Sequence, residues 1–326
     1  VKATAKAPAN IAFIKYWGKS DNELRLPLND SFSMNMSGAY TITTAEFSSA
    51  WKEDTVRLLD GEFSVSEVSR VIKGLDRIRA RAGSTKKATV VTKNTFPKGA
   101  GSAASASGFA ALTLAGFTAL GVSLSEKELT TFSRQGSGSA CRSIPDGFVV
   151  WEKGIDNDSS YAYSLYPPGY WDIRDILVIV DKRMKKVSTT EGMETIRTSP
   201  YLDTRLASVP GRMAAIQRAF QRKDFTGFGE ITEEDCLDMH KVMQSQVPPL
   251  MYWNDTTRVI MDAVRRWRRD GLPVYFTIDA GPNVHVLCEG QHEAETLEKL
   301  RTFPGIVDFI LNRPAEGARV IADHLF

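Results

Sequence analysis

Apolar and polar residues alternate weakly along residues 1–13, and short β-rich runs follow at 40–47, 56–59 and 88–92. A period of two marks a strand with one buried face, so these runs are expected to pair as a sheet. Residues 66–82 repeat their apolar positions at helical spacing with the charges outward, which predicts a helix. A small-residue helix is expected over 106–120. A third helix is expected over 125–135, where Ser125 and Glu128 have the spacing of a capping box. Segments 147–151 and 161–166 read as strands paired across a polar turn. Pro167, Pro168 and Gly169 break the pattern, and 173–180 is a continuous apolar strand. The second half is more helical. Apolar spacing predicts helices over 190–198, 209–222, 225–243, 255–271 and 292–300, with strands over 274–278, 284–288 and, last, 306–311. Strands and helices mix without a regular βαβ rhythm, so the expected class is α+β.

The 326 residues are enough for two domains with cores of their own. Lys and Arg number 41 against 39 Asp and Glu, a net charge of +2, which gives no reason to expect nucleic acid or an anionic membrane as partner. The basic run at 265–269 reads as the solvated face of a helix, whereas the one at 182–186 follows a strand and is placed to face a substrate. Cys141, Cys236 and Cys288 are odd in number and far apart, which suits neither a disulfide framework nor a zinc site. A reducing, cytoplasmic setting is expected. No apolar run reaches membrane-spanning length, and the first eight residues lack the apolar core of a signal peptide.

Candidate chemistry concentrates in four places. Residues 97–108 place Gly99, Gly101 and Gly108 among small side chains, between a strand and a helix start. That order makes an anion site, because free backbone N–H groups and the helix dipole both favour negative charge. Lys98, Gly99, Ala100, Gly101, Ser102, Ala104, Ser105 and Ser107 are its candidate residues; a helix packed closely through Ala and Gly is the plain alternative. Lys15 and Lys19 fall on one side of an extended run, with the Tyr16 hydroxyl nearby, and suit an anionic substrate unless they only solubilise an edge strand. Gly136, Ser137, Gly138 and Ser139 form a second small-residue loop that ends on the fork of Arg142. Asp279 ends a strand against a turn, either capping it or poised over a hydroxyl. The histidines stand alone and read as structural or surface residues, and Cys141 has no partner base, so it reads as packing.

Together these segments resemble the mevalonate diphosphate decarboxylases, a branch of the GHMP small-molecule kinase superfamily. The resemblance covers almost the whole chain: 7–19, 26–31, 94–108, 136–143, 187–193, Pro248 and Pro249 with Asn254, Asp255 and Thr256, and 279–283. Lys15-Tyr16-Trp17-Gly18-Lys19 together with 136–143 is specific to the branch. The resemblance implies a ribosomal-S5-like N-terminal domain, 1–183, and a ferredoxin-like C-terminal domain, 184–326, with substrate between them. It implies ATP-dependent phosphorylation of the 3-hydroxyl of a 5-phosphorylated mevalonate, then loss of that phosphate with carbon dioxide. In this reading Asp279 orients or deprotonates the hydroxyl, Lys15 neutralises charge on the transferring phosphate, and Arg142 grips the carboxylate. Tyr16, Lys19, Ser137, Gly138, Ser139 and Thr189 hold the 5-phosphate end, and 98–107 cradles ATP with Ser105 closest to the reaction. Mg²⁺ accompanies ATP, with no protein ligand named by the sequence. Fold analogy alone raises the expectation of a homodimer.

The chain departs from the family pattern in several places. The family's usual Gly-Leu-Ala-Ser-Ser-Ala reads Gly101-Ser102-Ala103-Ala104-Ser105-Ala106, Lys98 stands where a small or hydroxyl residue is usual, and 144–147 adds Asp146. Conversion of 5-diphosphomevalonate to isopentenyl diphosphate is the leading expectation. These departures keep open a decarboxylase making isopentenyl phosphate from 5-phosphomevalonate. A mevalonate kinase that does not decarboxylate and a non-catalytic metabolite-binding relative are the remaining alternatives.

Overall fold

The computed structural model describes residues 1–96, 103–182 and 187–326. The first half contributes strands β1 (Lys2–Ile14), β2 (Lys19–Asp21), β3 (Leu26–Pro27), β4 (Ser31–Ser48) and β5 (Thr55–Leu58), then helix α1 (Val65–Ala82) and strand β6 (Lys87–Asn94). Helices α2 (Ala103–Ala119) and α3 (Glu126–Gly136) and strands β7 (Phe148–Trp151) and β8 (Ala162–Tyr166) complete it. The second half holds β9 (Ile173–Ile179), α4 (Thr189–Gly192), α5 (Leu202–Arg222), α6 (Phe225–Ser245), α7 (Asp255–Arg269), β10 (Tyr275–Thr277), β11 (Val284–Glu289), α8 (Glu293–Arg301), β12 (Asp308–Asn312) and β13 (Arg319–Ile321).

β4 is the spine of the first sheet. β1 pairs along its length, β7 with its first half and β6 with its second. The order runs β13-β1-β4-β6-β5, with β8 outside β7, and the second sheet runs β10-β11-β9-β12. The sheets divide the chain before β9, whereas the expected boundary at 183/184 falls after it. An apolar strand follows the first unit with no linker composition to mark the change. The expected last strand at 306–311 is followed by β13, whose Ile321 pairs with Thr4 and returns the chain to the first sheet.

Side-chain size sets the spacing of the first layer. Ala3, Ala5 and Ala7 of β1 are buried, and Ala7 packs against Ala110 and Ala111 of α2, so a helix of small residues lies close on the sheet. The β1–β4 register shifts between the Pro8–Tyr40 and Asn10–Asn35 pairs. Such irregularities re-aim side chains; here Asn10 is aimed at Ser139 and Ser143, to which its amide donates at 3.1 and 2.8 Å. The other face of β1 carries Phe13, which meets Phe220 of α5 and Phe228 of α6 in a core shared by both halves. Capping boxes start α1 at Ser64, α3 at Ser125 as expected, α4 at Ser188 and α7 at Asn254. The 190–198 segment is only one helical turn followed by a 3₁₀ turn.

Candidate active site

β1 stops at Ile14, and Gly18, at φ 102°, turns the chain before β2 begins at Lys19. Residues 15–19 are therefore not one extended run, and it is this turn, rather than strand alternation, that brings both lysines to one cleft. Lys15 is 1% exposed. Its main chain is clamped: the N–H donates to Asp235 Oδ2 at 2.7 Å, and the carbonyl accepts from Asn29 at 2.9 Å and Arg205 at 3.3 Å. Arg205 and Asp235 are themselves a buried pair at 3.0 Å, supplied by α5 and α6. Asp235→Asn is expected to destabilise the fold by about 3 kcal/mol, because it leaves a buried guanidinium poorly matched; a denaturant titration measures it, and a loss under about 1 kcal/mol contradicts the clamp.

The Lys15 ammonium donates to Asp279 Oδ1 at 2.6 Å. Asp279 sits just beyond β10, partly exposed to the cleft. Burial pushes its carboxyl upward, but Lys15, with His285 and Arg142 further out, outweighs burial and holds it below the usual carboxylate range. A carboxyl so depressed stays ionised to lower pH than a free aspartate, so the acid limb of kcat/KM assigned to Asp279 lies below the ordinary carboxylate range. In Lys15→Met the opposing charge is gone, burial dominates, and the limb moves up in pH. NMR titration of the carboxyl checks the sign, and an unshifted or lowered value in that variant contradicts it.

Arg142 lies opposite, buried, on the 3₁₀ turn after α3 (Gly138–Ser143). It donates to Asn10 Oδ1 at 3.0 and 3.2 Å and to Ser31 Oγ at 2.8 Å, all neutral acceptors, so its charge remains to be met by an anion. A Cβ on Gly138 would lie 2.7 Å from the Tyr16 hydroxyl, which is why that position is glycine. Burial holds the Tyr16 phenol well above its ordinary value, leaving it a neutral hydrogen-bonding group. Burial also lifts the Cys141 thiol to about 12, as suits packing rather than nucleophilic attack. His240, pushed down to about 3 by burial, stays neutral.

These groups line one cleft of about 490 Å³. Tyr16, Lys19, Ser137, Gly138, Ser139 and Thr189 all reach it, and so do Ala104 and Ser105, whose hydroxyl lies 3.1 Å from that of Ser137. An apolar cavity of about 80 Å³ adjoins it past Ala104 and Ser105, walled by Leu58, Phe63 and Phe109. Ser107 does not reach the cleft. It is fully buried, 2.6 Å from Thr41, because two helical residues rotate the side chain about 200° away from Ser105. Lys98, Gly99, Ala100, Gly101 and Ser102 lie outside the described residues. So does the basic run after Lys182, which itself pairs with Asp308 at 3.1 Å.

Sequence reasoning missed several groups. Asn10, a polar residue in an otherwise apolar strand, was the legible one. Arg25 and Arg70 line the cleft beside Lys19, with Ser64, Ser66 and Glu67 from the start of α1. Burial first and neighbouring Arg25 second lower Arg70 to about 10, against a smaller opposing pull from Glu67. Asp146, by contrast, is exposed and accepts the Gly317 N–H at 2.6 Å, so it is tied to a loop and does not line the cleft.

The family model of the diphosphomevalonate decarboxylase-like N-terminal domain matches residues 7–162, and that of the mevalonate 5-diphosphate decarboxylase C-terminal domain matches 176–314. A diphosphomevalonate decarboxylase of Ganoderma lucidum is 36% identical, covering 94% of this chain and 84% of its own. The Aspergillus fumigatus enzyme is 40% identical over 86% of this chain and 75% of its own. Among solved structures, mevalonate diphosphate decarboxylase from Staphylococcus aureus superposes with a TM-score of 0.93 at 37% identity, covering 98% of each chain. MDDEF in complex with MVAPP, AMPPCP and magnesium gives 0.92 at 36% identity, covering 99% of each. The α+β GHMP kinase fold expected from the sequence is the fold of this chain.

Proposed function

The chain belongs to the diphosphomevalonate decarboxylase family, and from that premise we infer that it converts 5-diphosphomevalonate and ATP to isopentenyl diphosphate, ADP, phosphate and carbon dioxide. One observation carries the reading: the Lys15–Asp279 pair at 2.6 Å faces a cleft that also receives the Arg142 fork, whose partners are all neutral. Those are the groups that activation of a tertiary hydroxyl beside a carboxylate requires.

In this reading Asp279 accepts the hydrogen bond of the 3-hydroxyl and takes its proton as the oxygen attacks the γ-phosphoryl group. Its lowered pKa makes orientation the larger part of its work. Lys15 places positive charge where the transferring group becomes anionic. Arg142 holds the carboxylate bidentately. The electron pair of the carboxyl-bearing C–C bond then becomes the double bond to C3 as the C3–O bond breaks, releasing carbon dioxide and phosphate. Lys19, Arg70, Ser137, Ser139 and Thr189 hold the 5-phosphate end with Tyr16 and Gly138. Ala104 and Ser105 border the ATP phosphates, and the apolar cavity suits the base.

Magnesium, when bound with the nucleotide, neutralises phosphate charge. Among the described residues no group of three His, Cys, Asp or Glu is placed to hold a metal, which fits an ion carried by phosphate oxygens and water. Asp146, tied up outside the cleft, gives no reason to favour the monophosphate. A homodimer belongs to the same proposal from fold analogy, and a solution mass near 36.1 kDa would refute it. Cytoplasmic placement rests on three unpaired cysteines. No described helix is long and apolar enough to cross a membrane.

The test is stoichiometry. With 5-diphosphomevalonate, the account expects equal amounts of ADP, phosphate and carbon dioxide. ADP without carbon dioxide would make the protein a kinase.

A further inference from the structure

We propose that Arg25 binds the outer phosphate of the substrate's diphosphate and sets the preference for a diphosphate over a monophosphate, an inference that rests on the function above. Arg25 closes the turn between β2 and β3, where Asp21 Oδ1 accepts the N–H groups of Glu23 at 2.8 Å and Leu24 at 2.7 Å. Its backbone is left-handed, at φ 53°. Glycine or asparagine meets that requirement with least strain, and an arginine there is strained. The turn therefore gains nothing from this side chain.

The cleft does. The Arg25 side chain lines it, beside Lys19 and Arg70. Its Nε donates to the Gln135 carbonyl at 3.1 Å, at the C-terminal end of α3, which anchors the fork and leaves the two terminal nitrogens without a partner among the described residues. Arg77 reaches the same carbonyl at 3.3 Å, and Arg70 reaches that of Gly136 at 3.1 Å. Carbonyls at a helix end favour these cations, but only with partial charge. No carboxylate is among the groups that bear on Arg25; they are Tyr16 and Arg77. A half-buried, unpaired guanidinium in a cleft calls for an anion. Glu67 bears on Arg70 and Glu194 on Lys19, so Arg25 is the one of the three cations with no carboxylate acting on it. The outer phosphate of a diphosphate carries the negative charge that meets it, and a monophosphate lacks that group.

The test uses the full chain with saturating ADP and two probes, inorganic pyrophosphate and inorganic phosphate, measured by calorimetry, alongside kinetics on both phosphorylated mevalonates. In Arg25→Gly, pyrophosphate affinity is expected to fall roughly 10- to 100-fold, the loss of one charge-assisted bidentate contact, while phosphate affinity stays as in wild type. KM for the diphosphate rises and kcat does not, and the Tm stays within about 2 °C because the strain goes with the side chain. Arg25→Lys recovers part of the affinity. Equal losses for both anions, or no loss for pyrophosphate, overturn the proposal. Turnover of neither mevalonate by wild type, with the pyrophosphate loss intact, would sink the function and leave the Arg25 site standing. Full turnover with unchanged pyrophosphate affinity would do the reverse.

Discussion

Asp279→Asn lowers kcat by about 10³-fold or more while the nucleotide still binds. The amide is nearly the same size, so the cleft keeps its shape, but it cannot accept a proton and leaves Lys15 without the carboxylate that meets it at 2.6 Å. Lys15 is 1% exposed and its main chain is held by Asp235, Arg205 and Asn29, so it has little freedom to find another partner. The variant therefore loses both the proton acceptor and the balance of charge at the reacting oxygen. Steady-state turnover and calorimetric binding of a non-hydrolysable ATP analogue measure the two effects separately. Near-normal turnover removes Asp279 from its assigned role.

Arg142→Lys lowers kcat/KM by about 10²-fold or more, although the charge is kept. The guanidinium spends its contacts on Asn10 and Ser31 at 2.8 to 3.2 Å, and this fixes the plane of the fork. An ammonium cannot hold both neutral partners and also present two parallel donors to a carboxylate. The loss is expected in carbon dioxide release, with KM for ATP unchanged. Wild-type rates would mean the carboxylate is held elsewhere.

Much of the fold was legible because local signals agreed with tertiary structure. The Ser125–Glu128 box starts α3 where its spacing puts it, and the 147–151 and 161–166 runs pair as β7 and β8. Misses have physical causes. Pro210 reads as the first turn of a helix, which is where proline fits, yet α5 begins at Leu202 and carries Pro210 inside. β13 has three residues and no periodicity to detect. Ser107 reads as one more hydroxyl of the small-residue loop, and the helix turns its side chain toward Thr41, away from the cleft that Ser105 lines.

The site divides in the same manner. Lys15, Arg142 and Asp279 stand in short motifs whose chemistry is local, and all three line the cleft. The clamp on Lys15 is not local, since Asp235 lies 220 residues away and Arg205 190. Nor is the cationic end, which joins Lys19, Arg25 on a hairpin turn and Arg70 on α1. Arg70 falls among the outward charges of the 66–82 helix, and no motif points to Arg25. Only the fold shows that they share a cleft, in which Glu67 bears on Arg70 and no carboxylate bears on Arg25.

The most direct test of the account compares kcat/KM for 5-diphosphomevalonate and 5-phosphomevalonate with ATP and Mg²⁺, with products identified by mass. The account predicts a clear preference for the diphosphate, with isopentenyl diphosphate as product. Preference for the monophosphate with isopentenyl phosphate as product, or no turnover of either, would contradict it.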